Sequence, residues 1–200
     1  MTGLVVHLID DDDAVLAALS RLLKAAGYET RCHSSAESFL ALHDDQPGCA
    51  IVDVGLPGLT GFDLQDRLAS AQRARPLIFL TGQGDIPSSV RAMRAGAVDF
   101  LTKPVSGQDL LAAVALAVQR DTTRRADQSA QDHVALHLAS LTRREREVLD
   151  QVIAGQLNKQ IADTLGIAEK TIKVHRGRVM KKMAARSLAE LVAMVLRHKG

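Results

Sequence analysis

The sequence predicts an α/β fold, a doubly wound five-stranded parallel sheet within residues 1–120, followed by a small all-α unit of four helices. Three observations predict it. As far as Arg120, short β-rich runs alternate with segments whose aliphatic residues recur at helical spacing, the pattern of a parallel sheet covered by helices on both faces. Four of those runs finish in polar groups: the acidic cluster Asp10-Asp11-Asp12-Asp13, then Asp53, Thr81 and Lys103. Carboxylates, a hydroxyl and an ammonium therefore gather at the carboxyl ends of strands, where open α/β sheets bind ligands. Beyond residue 120 the pattern turns helical and the net charge changes sign.

Strands are predicted at residues 4–9, 29–33, 50–53, 77–81 and 99–101. Between the first two, Val15, Leu19, Leu22, Leu23 and Ala26 repeat at helical spacing over residues 14–26, and Gly27 stops that helix. Ser35 can cap a helix through Leu42, and Thr60 can cap one through Ser70. Pro87 fits the first turn of a helix over residues 86–95, which Gly96 ends. A fifth helix begins near Ser106 and turns Leu110, Leu111, Val114 and Val118 to one side.

Residues 121–137 read as a linker, since no large aliphatic residue occurs from Asp121 to His133 and neither Gly nor Pro interrupts it. A solvated helical extension of the fifth helix fits, continuous or broken near Thr122-Thr123, and a flexible tether is the alternative. Helices then follow at residues 142–154, 158–165, 168–183 and 187–198, within a domain placed at 138–200.

Composition is that of a soluble chain, with 46% hydrophobic and 24% charged residues. No stretch approaches the roughly 18 to 20 apolar residues of a membrane span, and acids at positions 10–13 do not suit a signal peptide, so a cytoplasmic location is expected. Cys32 and Cys49 lack metal or redox spacing and are expected to be reduced core thiols. Residues 1–120 hold 10 Lys+Arg against 14 Asp+Glu, a net −4, whereas residues 121–200 hold 15 against 9, a net +6. Only the second part is therefore suited to a polyanion. Aromatics are 2% with no Trp, which disfavours stacking on single strands and favours duplex DNA.

A Mg²⁺ ion takes octahedral oxygen ligands and can be held by one or two carboxylates plus phosphoryl oxygens, which Asp10, Asp11 and Asp53 could supply. Asp53 can then act as a nucleophile toward phosphorus while Mg²⁺ and Lys103 counter the charge on the transferred group, and Thr81 can hydrogen-bond the acyl phosphate. Each residue alone has a plainer explanation, as a helix cap, a turn or a solvated charge; their joint placement is what singles them out. The segments Ile9-Asp10-Asp11-Asp12, Asp53-Val54-Gly55-Leu56-Pro57-Gly58, Leu80-Thr81-Gly82 and Phe100-Leu101-Thr102-Lys103-Pro104 resemble a two-component receiver domain over about residues 3–120. The resemblance implies a flavodoxin-like sheet of order 2-1-3-4-5 and phosphorylation of Asp53 by a histidine kinase. It also implies Mg²⁺ held by Asp11, Asp53 and the Gly55 carbonyl, with Asp10 acting through water, a Thr81/Phe100 switch pair and a cis Lys103-Pro104 bond. Gly55 departs from relatives that carry a side chain there. A haloacid-dehalogenase-type phosphatase is a rival, but its motif would place Thr or Val where Ala14 stands.

In the basic part, residues 158–174 read as helix, Gly-containing turn, helix, with Ile161, Leu165, Ile167 and Ile172 inside. Lys170, Thr171, Lys173, Val174, Arg176 and Gly177 then lie nearer the outside, on a helix able to enter a major groove. A protein-binding helical unit is the alternative. Leu141-Thr142-Arg143-Arg144-Glu145, Asn158-Lys159-Gln160-Ile161-Ala162, Thr171-Ile172-Lys173-Val174-His175 and Arg186-Ser187-Leu188-Ala189-Glu190-Leu191 resemble the LuxR/NarL-type helix-turn-helix. Together the two parts resemble a FixJ-type response regulator, a non-enzymatic transcription factor. By position, Lys173, Val174 and Gly177 would meet bases, while Lys159, Thr171, His175 and Arg178 would meet phosphates or support the fold; Lys170 is a further DNA-binding candidate. The last helix would pair two effector domains through Leu191, Ala193 and Val195, or those residues would close the monomer core. The resemblance implies a kinase, promoter DNA, RNA polymerase and a second copy as partners. Its alternative is a regulator that works by protein contacts without phosphorylation.

Overall fold

The computed structural model describes residues 3–42, 45–71, 75–82 and 86–199. The chain divides into two compact units after Arg125. The first contains β1 (Val5–Ile9), α1 (Asp13–Ala25), β2 (Glu29–His33), α2 (Ala36–Leu42), β3 (Gly48–Asp53), α3 (Gly61–Ser70), β4 (Leu77–Thr81), α4 (Ile86–Arg94) and β5 (Asp99–Thr102). All four strand pairings are parallel, in the order β2-β1-β3-β4-β5. The order reverses beside β1, so the carboxyl ends of β1 and β3 flank the crevice in which such sheets place their ligands.

β1, β3 and β4 are buried along their whole length, as unbroken apolar runs in a two-sided parallel sheet must be. Side chains alternate between faces. Val6, Leu8, Ile51, Ile78 and Leu80 pack with Leu16, Leu19 and Leu23 of α1 and with the first turns of α5 (Gly107–Ala139). On the opposite face Ile9, Ala50, Val52 and Phe79 meet Phe39, Phe62, Leu64 and Ala92 from α2, α3 and α4. The edge strands β2 and β5 are largely half-buried or exposed. Cys32 lies on β2 and is exposed, which corrects its expected place in the core; Cys49 is buried.

The second unit contains the C-terminal part of α5, then α6 (Arg143–Ile153), α7 (Asn158–Leu165), α8 (Glu169–Lys182) and α9 (Leu188–Lys199). Val148, Leu149, Ile161, Ile172, Val179, Leu191 and Val195 form its core. Leu191 and Val195 are thus spent inside the monomer, and of the three residues proposed to pair two copies only Ala193 stays half-exposed. α5 is continuous through Thr122-Thr123, so the break considered there does not occur. Among the described residues, no helix is long and apolar enough to cross a membrane.

Candidate functional site

Three strand ends build the acidic site. Asp10 follows β1, Asp53 ends β3 and Thr81 ends β4, with relative exposures of 3%, 8% and 5%. Lys103 follows β5, and its backbone N–H donates to the Thr81 carbonyl at 2.7 Å, which extends the β4–β5 ladder by one bond and sets where the side chain starts. The ammonium then reaches Asp10 Oδ2 at 2.6 Å and Asp53 Oδ1 at 2.7 Å. Burial works against the charge on Lys103, but hydrogen bonds to Asp10 and Asp53 outweigh it and hold the lysine pKa above its ordinary value.

The other carboxylate oxygens are held by backbone. Asp53 Oδ2 accepts from the Gly55 N–H, and Asp10 Oδ1 accepts from the Asp12 N–H at 3.0 Å. Asp12 itself caps α1, its carboxylate accepting from the N–H groups of Ala14 and Val15. The acidic run therefore divides its work, with Asp10 buried beside Lys103, Asp12 ending the turn, and Asp11 and Asp13 exposed. Gly61 opens α3 directly behind Asp53, where a Cβ would lie 2.6 Å from the Asp53 carbonyl oxygen. Only glycine lets that helix abut the strand end, and Thr60 with Asp63 closes it in a capping box.

Asp10, Asp53 and the Gly55 peptide present oxygen donors suited to a hard divalent cation, and two buried carboxylates sharing one ammonium leave room for further positive charge. Among the described residues no three acidic, His or Cys side chains converge as a ready metal cluster, and Asp11 is exposed. Thr81 and Phe100 project from the same sheet face, since Phe100 pairs in register with Phe79, two residues before Thr81. The Phe100 ring is half-buried, 6.2 Å from that of Phe79. Lys103-Pro104 is cis.

The second unit presents a different surface. Gly166 ends α7 in the left-handed conformation at φ 67°, making the tight turn into α8. Ile172 and Val179 of α8 face the core, while Lys170, Thr171, Lys173, Val174, Gly177 and Arg178 are exposed, as is Lys159 of α7. His175 is half-buried. Arg176 departs from its expected outward place, being half-buried and donating to Asn158 Oδ1 at 2.8 Å, which ties α8 to α7. Sequence reasoning assigned no role to Glu145. It is 3% exposed, completes a capping box with Thr142 and accepts from Lys182 Nζ of α8 at 2.7 Å. The Lys182 bond, then the Thr142 N–H, lower its pKa to about 2. No signal in the sequence marks this pair, whose members lie 37 positions apart.

Comparison with known proteins decides the family. The response regulator receiver domain matches residues 6–115, and the luxR family of bacterial regulatory proteins matches residues 139–195. The chain is a response regulator of the FixJ type. It is 44% identical to nodulation protein W of Bradyrhizobium diazoefficiens over 96% of this chain and 86% of that protein. It is 42% identical to the transcriptional regulatory protein FixJ of Azorhizobium caulinodans over 97% of this chain and 92% of that one. Among solved structures, the response regulator StyR superposes with a TM-score of 0.89 at 43% identity, covering 98% of this chain and 100% of StyR. This response regulator thus joins a receiver to a LuxR-type DNA-binding domain, with the acidic site in the first and the basic helix α8 in the second.

Proposed function

We propose that Asp53 is the phosphoacceptor, that a histidine kinase supplies the phosphoryl group, and that the modified protein dimerises and binds promoter DNA in the cytoplasm. The observation that carries this reading is the Lys103 ammonium between Asp10 and Asp53 at the carboxyl ends of the strands. One Asp53 carboxylate oxygen attacks phosphorus as the bond to the donor nitrogen breaks, leaving the acyl phosphate on Asp53. Lys103 follows the growing charge on the phosphoryl oxygens and releases Asp53 from its ion pair while keeping Asp10. Asp10, Asp11, Asp53 and the Gly55 carbonyl would hold Mg²⁺, which supplies further charge neutralisation when bound.

The Thr81 hydroxyl then turns toward the phosphoryl group, and Phe100, on the same sheet face, moves inward behind it. The surface that responds is α4, where Ile86, Val90 and Met93 form an exposed apolar stripe at 79%, 41% and 46% exposure. Burying that stripe against a second copy favours a dimer. Two copies present two α8 helices to DNA, with Lys173, Val174 and Gly177 toward bases and Lys159, Lys170, Thr171, His175 and Arg178 toward phosphates or the helix pairing. RNA polymerase is the further partner such a regulator would need on a promoter.

Intact-mass analysis after treatment with acetyl phosphate and Mg²⁺ tests the acceptor. Wild type should gain one phosphoryl group, Asp53→Asn none, and Lys103→Ala should gain it at least about tenfold more slowly, the effect of losing one charge-stabilising donor. Equal labelling of wild type and Asp53→Asn would place the acceptor elsewhere.

A further inference from the structure

Gly177 stands in the interior of α8, where glycine costs roughly 1 kcal/mol relative to alanine because the unfolded chain gains so much freedom there. Two reasons internal to the protein could justify it, and neither applies. Its backbone is helical and its φ is not positive, so no left-handed turn requires glycine. A Cβ built on it would meet nothing within 4 Å, so no packed neighbour requires the space. At helical spacing, Lys170, Lys173, Val174, Gly177 and Lys181 form one exposed stripe along α8, basic at both ends and bare near its centre.

We infer that Gly177 is a clearance position, at which bound duplex DNA occupies the space a side chain would fill. This deepens the DNA-binding reading and rests on it. An α-helix with its side chains is about 10–12 Å across and the major groove about 12 Å wide, so a seated helix has little slack. Without a Cβ, this turn of α8 lies closer to the groove than any other residue type allows. A methyl added there displaces the whole helix outward and weakens the contacts of Lys173 and Val174, one turn before it. The duplex thus selects a residue that the free protein disfavours.

The test compares full-length wild type, Gly177→Ala, Gly177→Leu and Lys173→Ala, each treated with acetyl phosphate and Mg²⁺. Thermal unfolding is measured without DNA, and affinity is measured on the duplex that wild type enriches from a random library. Gly177→Ala should unfold at a higher temperature than wild type yet bind about tenfold more weakly, near the low end of what one spoiled base-pair contact costs. Gly177→Leu should bind more weakly still while remaining folded. Equal or tighter binding by Gly177→Ala overturns the inference; loss of affinity in Lys173→Ala alone would then leave the DNA-binding reading standing. If wild type enriches no sequence and no variant alters binding, that reading fails and the inference fails with it.

Discussion

Lys103 and Lys182 play comparable electrostatic parts for different ends. Lys103 is shared between two carboxylates and balances one of their two charges, whereas Lys182 donates to Glu145 and to the Ser140 carbonyl and ties α8 to the start of α6. The second pairing has a pH signature. Glu145 titrates near 2 in the folded chain against an ordinary 4.5, so its stabilising effect is complete above about pH 4.5 and is lost as pH falls through the folded value. Urea unfolding of the full chain should show wild type more stable than Glu145→Gln at neutral pH, with the gap shrinking below about pH 4.5. A gap independent of pH would remove the ion pair as its cause. The sequence marked Lys103 because it follows an apolar run in a motif of fixed spacing. It left the pairing of Glu145 with Lys182 unmarked because that partner comes from another helix.

At the scale of elements, local signals were legible and non-local ones were not. The helix over residues 61–70 was predicted through its Thr60 cap and is found as Gly61–Ser70, because a capping box is complete within four residues. The exposure of Cys32 could not be read from its strand alone, since edge position depends on strand order. The start of the polar stretch in α5 was equally opaque. Asp121 reads as a solvated linker residue but is 1% exposed and accepts from the Gly48 N–H, 73 positions away, as well as from Arg124 and Arg125. Burial pushes its pKa up, yet the Gly48 N–H and both guanidiniums outweigh that and hold it low. Asp121→Ala should therefore lower the stability of the receiver by about 1–3 kcal/mol, the cost of orphaning a buried donor, as read by urea denaturation followed at the sheet. An unchanged midpoint would show that water replaces the carboxylate without loss.

For the whole molecule, the division of charge matches the division of labour. The acidic part is the receiver, with its buried Asp10 and Asp53, and the basic part is the LuxR-type domain that contains α8. Contacts from Lys and Arg to phosphates make DNA binding fall steeply with salt, and a two-fold dimer calls for half-sites about one helical turn apart. A near-complete switch from 1:99 to 99:1 would need about 5.5 kcal/mol of differential stabilisation, so phosphorylation, dimerisation and DNA together would set the response. The most direct test measures mass by light scattering and DNA affinity in the same samples, for wild type and Asp53→Asn treated identically with Mg²⁺ and a phosphoryl donor, either acetyl phosphate or a histidine kinase. Dimerisation and tighter binding in wild type alone are the predicted result. Identical behaviour of the two proteins with both donors would contradict a switch at Asp53 and leave a regulator that works through protein contacts.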